Sequence, residues 1–121
     1  MSKHTLHLFE GYGVELEYMI VNKNDLTILP ITDKVIHRVS GTYNSEIDMG
    51  PLNWSNELVL HVIELKTNGP APSLDTLPNH FLSHIRKINH ILEAAEGQLL
   101  LRICKIDQNV HQASMRTVLL L

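Results

Sequence analysis

The 121-residue chain is predicted to fold as an α+β domain. Three observations carry that class: a two-residue period over 13–21 that puts Val14, Leu16, Tyr18 and Ile20 on one face, an extended apolar stretch over 58–66, and a helical stripe over 73–96. The composition agrees with it. Apolar residues make up 44% and charged residues 19%, the balance of an ordinary globular domain rather than of a disordered segment, a collagen-like fibre or a coiled coil. The length suits one small domain. No apolar run exceeds four residues, which excludes a transmembrane helix.

In the first strand Val14, Leu16, Tyr18 and Ile20 point one way, and Glu15, Glu17 and Met19 the other. Gly11 and Gly13 precede it, and Asn22-Lys23-Asn24-Asp25 follows as a turn. Residues 26–31 return as a short strand, with Pro30 placing it at an edge or end. Thr32 or Asp33 then caps a helix running to about Val39, which Gly41 stops. Residues 43–55 read as loop, with Gly50-Pro51 as the firmest breaker. In the stretch 58–66, one face offers Leu58, Leu60, Val62 and Glu64, and the other Val59, His61, Ile63 and Leu65. Both faces are largely apolar, so this strand is expected to be central and covered on both sides. Asn68-Gly69-Pro70 ends it.

Ser73 is expected to cap a helix reaching about Glu96, with Gly97 just past its end. Such a helix is ~36 Å long, and Pro78 marks where its regular part begins. Leu74, Leu77, Phe81, Ile85, Ile88, Leu92 and Ala95 form its apolar stripe. With two main strands beside it, that stripe is expected to be only partly covered.

Charge divides the chain. Residues 1–97 hold seven Lys/Arg and twelve Asp/Glu, whereas residues 98–121 hold three and one. The segment 98–121, ending Val118-Leu119-Leu120-Leu121, lacks caps and turns and reads as an atypical tail, truncated or out of frame. The net charge of −3 argues against a nucleic-acid partner. The single Cys104 suits a reducing compartment, and the first residues show no secretory pattern. A cytoplasmic location without a membrane partner is the expectation.

Four acids carry the candidate chemistry: Glu15, Glu17, Glu57 and Glu64. Glu15 and Glu17 share one strand face with carboxylates ~7 Å apart. Glu64 interrupts an apolar face, where a carboxylate needs a cation, a hydrogen-bond donor or a shifted pKa. If the two strands are neighbours, three carboxylates converge and suit a hard cation such as Mg²⁺ or Mn²⁺. Against this stand a wet strand face for Glu15 and Glu17, and a surface pair of Glu64 with Lys66. Glu57 lies seven residues before Glu64 and joins only if the chain bends near Asn56.

The histidines point less clearly to a site. His80 and His84 have the four-residue spacing of a helical metal pair, but His80-Phe81-Leu82-Ser83-His84 lacks the zinc-protease Glu and reads as a solvated flank. His61 reads as a structural histidine in a core strand, and Cys104 as a small buried hydrophobe.

Gly11-Tyr12-Gly13-Val14-Glu15-Leu16-Glu17-Tyr18 resembles the opening strand of the glutamate–cysteine ligase-like carboxylate–amine ligases. Ser55-Asn56-Glu57-Leu58, followed by His61-Val62-Ile63-Glu64-Leu65-Lys66-Thr67, is similar to that family's second acidic strand. Residues 81–92, with Arg86 and Ile88-Asn89, resemble the helix after it. The resemblance covers residues 11–97 and implies a partial glutamine synthetase-like fold: an antiparallel sheet packed by a long helix, its concave face carrying the site.

The resemblance further implies a ligase that uses ATP to phosphorylate a carboxylate, typically the γ-carboxylate of glutamate, before an amine displaces the phosphate. Glutamate, cysteine and ATP would be the substrates, for γ-glutamylcysteine formation in glutathione biosynthesis. Mg²⁺ or Mn²⁺ would be held by Glu15, Glu17, Glu57 and Glu64. No acid–base or nucleophilic residue is assigned. Where the family continues with a Pro-Thr-Gly-Met-His-Pro-Trp type segment, this chain has Leu101-Arg102-Ile103-Cys104. Residues 1–97 therefore read as the N-terminal portion of a ligase catalytic domain, expected to be incomplete and inactive alone. The alternatives are a non-catalytic metal- or ligand-binding remnant and a ligase for another acid–amine pair.

Overall fold

A computed structural model of the protein describes residues 5–101. Five strands, β1 (Glu15–Asn22), β2 (Glu46–Asp48), β3 (Leu52–Ser55), β4 (Val62–Thr67) and β5 (Gly97–Leu101), form one sheet in the order β2-β3-β4-β1-β5. Every neighbouring pair is antiparallel. Two helices, α1 (Thr32–Ser40) and α2 (Leu77–Leu92), complete an α+β architecture. No helix among the described residues is long and apolar enough to cross a membrane.

Both helices pack on one face of the sheet. Tyr18 and Ile20 of β1, Leu52 and Trp54 of β3, and Ile63 and Leu65 of β4 meet Val35 of α1 and Leu77, Phe81, Ile88 and Leu92 of α2. The α2 stripe is therefore well buried where it meets the sheet, contrary to the expectation of partial cover. Five strands and α1 surround it instead of two strands. Its ends do stay outside: Leu74 is half exposed and precedes the helix.

Several boundaries differ from the sequence expectation for local physical reasons. Residues 43–55 hold β2 and β3 rather than loop. Gly50, at φ 85°, turns the chain between them, and its N–H donates to the Asp48 carboxylate at 2.8 Å. The second predicted strand begins only at Val62, because residues 57–61 form the reversal that brings the chain back from β3. The Asn56 and Val59 amides close that turn on Ser45 and Asn56 carbonyls. His61 sits in this turn and not in a strand, and its carbonyl accepts from the Ile20 amide.

Residues 26–31 make one bridge, Val21 to Ile28, instead of a strand. Neither Thr32 nor Asp33 caps α1 through its side chain. The buried Thr32 hydroxyl lies 2.8 Å from the Leu60 carbonyl and 3.1 Å from that of Val62, tying α1 to the start of β4. Gly41 does end α1, in the left-handed conformation expected of it.

Ser73 closes a turn on the Asp75 amide, and regular helix begins only at Leu77 beside Pro78. Glu96 takes the left-handed position at the end of the helical region, after a 3-10 turn over Glu93–Ala95. Gly97 sits close to its neighbours: a Cβ there would stand 3.3 Å from Leu29 and from Leu92, a tight contact. From Gly97 to Leu101 the chain pairs with β1, so residues 98–101 belong to the sheet. The rest of the 98–121 tail, with Cys104, lies outside the described residues.

Trp54 is fully buried, and its indole N–H donates to His84 Nδ1 at 2.9 Å. His84 is thus a half-buried acceptor for a core indole and not a solvated flank. Burial lowers its pKa first, with Lys87 and His80 adding to the effect. A base with a depressed folded pKa stabilises fully above its unfolded value of about 6.5 and loses that contribution as pH falls through the folded value. The His84 contribution to the urea midpoint should therefore drop as pH falls from 7.5 to 5. His84→Gln, which keeps an acceptor but does not titrate, should remove that part of the slope.

Candidate metal centre

The register of β1 against β4 builds the centre. Glu17 lies directly opposite Glu64, and Glu15 opposite Lys66. Alternation then sends Glu15, Glu17, Glu64 and Lys66 to the face away from the helices, together with Asn53 and Ser55 of β3 and Glu46 and Asp48 of β2. Like charges directly opposite each other destabilise a sheet, so the Glu17–Glu64 rung needs compensation.

Glu57 reaches the same place from the β3–β4 turn. It stands at φ 33° and Leu58 at φ 67°, so two consecutive non-glycine residues are left-handed. That bend is what the seven-residue spacing requires. Carboxylate oxygens of Glu17, Glu57 and Glu64 all lie within 4.8 Å of one another. Oxygens bound to one Mg²⁺ stand ~2.9–4.2 Å apart, so small side-chain rotations would close this trio on a hard cation. Glu15 shares the face but lies one rung away, outside the trio, as an exposed second-rank charge.

Glu64 is the anchor, only 4% exposed. Ser55 Oγ lies 3.2 Å from its Oε1, and Lys66 Nζ lies 3.5 Å from the same oxygen. Burial raises the Glu64 pKa, and the Glu57 and Glu15 charges and a hydrogen bond with Glu57 raise it further, while Lys66 opposes. A protonated Glu64 can thus donate that hydrogen bond to Glu57. Lys66 loses some solvation, which lowers its pKa, but Glu46, Glu64 and Glu15 outweigh this and raise it. Its ammonium also bridges to Glu46 at 3.7 Å, and Asn53 donates to Glu46 at 2.8 Å.

Ser55, Asn53 and Glu46 escaped the sequence reading because their segment was read as loop. Leu52-Asn53-Trp54-Ser55 does alternate at the period of a strand, but four residues after Gly50-Pro51 are too few for it to stand out.

No family model matches the chain, and neither curated proteins nor solved structures provide a match.

Two outcomes are expected here. Leu58 is 96% exposed, so Leu58→Gly should remove only its backbone strain and raise stability by about 1 kcal/mol in chemical denaturation. Glu64 has a raised folded pKa, so its contribution is present below the unfolded value and lost as pH rises through the folded one. In the presence of a chelator, Glu64→Gln should therefore gain stability relative to the parent between pH 4 and 7, read from paired urea midpoints.

Proposed function

We propose that this chain forms the cation-binding part of an ATP-dependent carboxylate–amine ligase of the glutamate–cysteine ligase type. The convergence of Glu17, Glu57 and Glu64 on one face of an antiparallel sheet carries the reading. The motif resemblance supplies the reaction class. In that reaction a carboxylate oxygen attacks the γ-phosphorus of ATP and ADP leaves; the amine nitrogen then attacks the acyl carbon, phosphate departs and the nitrogen loses a proton.

Bound Mg²⁺ or Mn²⁺ would neutralise the triphosphate and the charge developing on the transferred phosphoryl group. Glu17, Glu57 and Glu64 would hold it. Ser55 fixes the rotamer of Glu64, and Lys66 limits the local excess of negative charge without filling the trio. Glutamate and cysteine are the proposed acid and amine.

A second reading, cation binding without turnover, is favoured by the state of Lys66. It is the cation seen on the acidic face among the described residues, and Glu46 and Glu64 already engage it. It is not free to grip a phosphate tail.

Mn²⁺ titration by calorimetry or electron paramagnetic resonance tests both readings. Binding should strengthen as pH rises and Glu64 loses its proton, and the melting temperature should rise with Mn²⁺. Glu17→Gln or Glu64→Gln should weaken binding about tenfold or more. Phosphate release from ATP that depends on glutamate and cysteine would support the ligase. Mn²⁺ binding without it supports the second reading, and absence of Mn²⁺ binding overturns both.

A further inference from the structure

On the side of the sheet opposite the acids, α1 and the C-terminal end of α2 enclose a groove of about 540 Å³. That size lies within the range of small-molecule sites, ~300–1,000 Å³. Its floor is Val35 and Leu92, both almost fully buried, and its walls are Ile31, Ile91, Ala94 and Ala95. One edge is different. Lys34 and Arg38 stand one turn apart on α1, both exposed, and both border the groove.

Among the described residues neither Lys34 nor Arg38 forms an ion pair. His90, the third basic group at the groove, lies 3.3 Å from the Glu93 carboxylate and so has its own counter-charge. Within a net-acidic protein, two cations without acidic partners beside an apolar trough form a local inversion of charge. Nothing else in the trough is built to bind a polar ligand: apart from the basic residues its lining is Ile, Val, Leu and Ala.

We propose that this groove binds a small amphipathic anion, an aliphatic chain carrying one carboxylate, with the chain against Val35, Ile91 and Leu92 and the head group between Lys34 and Arg38. Area and charge divide the work. The apolar walls, Ile31, Ile91, Ala94 and Ala95, still carry exposed surface and give affinity in proportion to the area removed from water, and the Lys34–Arg38 pair selects an anionic head over a neutral one. The helix pair is a firm support for such a site, because Val35 and Leu92 also belong to the main core.

The test uses the full chain with dodecanoate below its micellar concentration, dodecanol as the same chain without charge, and acetate as the head alone. Calorimetry and methyl chemical shifts provide the two readouts. Dodecanoate should bind, shifting the Val35, Ile91 and Ala94 methyls, and dodecanol should bind about three- to tenfold more weakly, consistent with two exposed ionic contacts. Lys34→Ala with Arg38→Ala should erase that preference and leave the fold intact, since both side chains are exposed. Ala95→Trp, at an exposed position on the groove wall, should abolish binding of both long-chain probes. Equal binding of dodecanoate and dodecanol to the parent, binding of acetate alone as tight as dodecanoate, or shifts confined to residues away from α1 and α2 would each overturn the proposal.

Discussion

Placing Glu17 opposite Glu64 on the two central strands is the constraint around which one whole face of the protein is arranged. The register cannot slip by one residue without moving Leu16, Tyr18 and Ile20 out of the core, so the helix-side packing holds two like charges on the same rung. Burial on one face thus enforces repulsion on the other. Ser55, Lys66 and the hydrogen bond with Glu57 all act on Glu64, the least hydrated carboxylate of the group.

That arrangement also explains why the β3–β4 turn is strained. Two successive left-handed residues, Glu57 and Leu58, curl the chain back and bring a third carboxylate to the first two. Strained backbone of this kind persists where the surroundings over-determine it, and here β3 and β4 are fixed by their own ladder on either side. The result is a cluster that is costly as a set of bare charges and well matched to a hard divalent ion, because the same short separations that raise the cost bring oxygen ligands within reach of one centre.

How much of this was legible in the sequence depends on element length. Residues 13–21 alternate for nine positions, and the structure places a strand over Glu15–Asn22, so the face shared by Glu15 and Glu17 could be read directly. The stripe of α2 was legible for the same reason, although Pro78 and the turn closed by Ser73 delay its start. β2 and β3 have three and four residues, too few for a period to stand out between Gly and Pro signals. With β3 missed, Ser55 had no face and Trp54 no partner, and His84 was left looking solvated. Convergence of Glu57 was legible only as a condition on backbone geometry, since no spacing rule states that Leu58, a leucine, will adopt a conformation that favours glycine.

The carboxylate cluster is confined to one side of the sheet, and the topology accounts for it. Helices α1 and α2 cover only the apolar side, so their own polar groups, Lys34 and Arg38 among them, are carried away from the acids by the full thickness of the sheet and its core. Stacked layers stand ~10 Å apart, about one Debye length at physiological salt. Neutralisation across that distance is weak, so neither set of charges satisfies the other. Lys66 shows the contrast: it lies on the acidic side, within 4 Å of two carboxylates, and its charge is absorbed there.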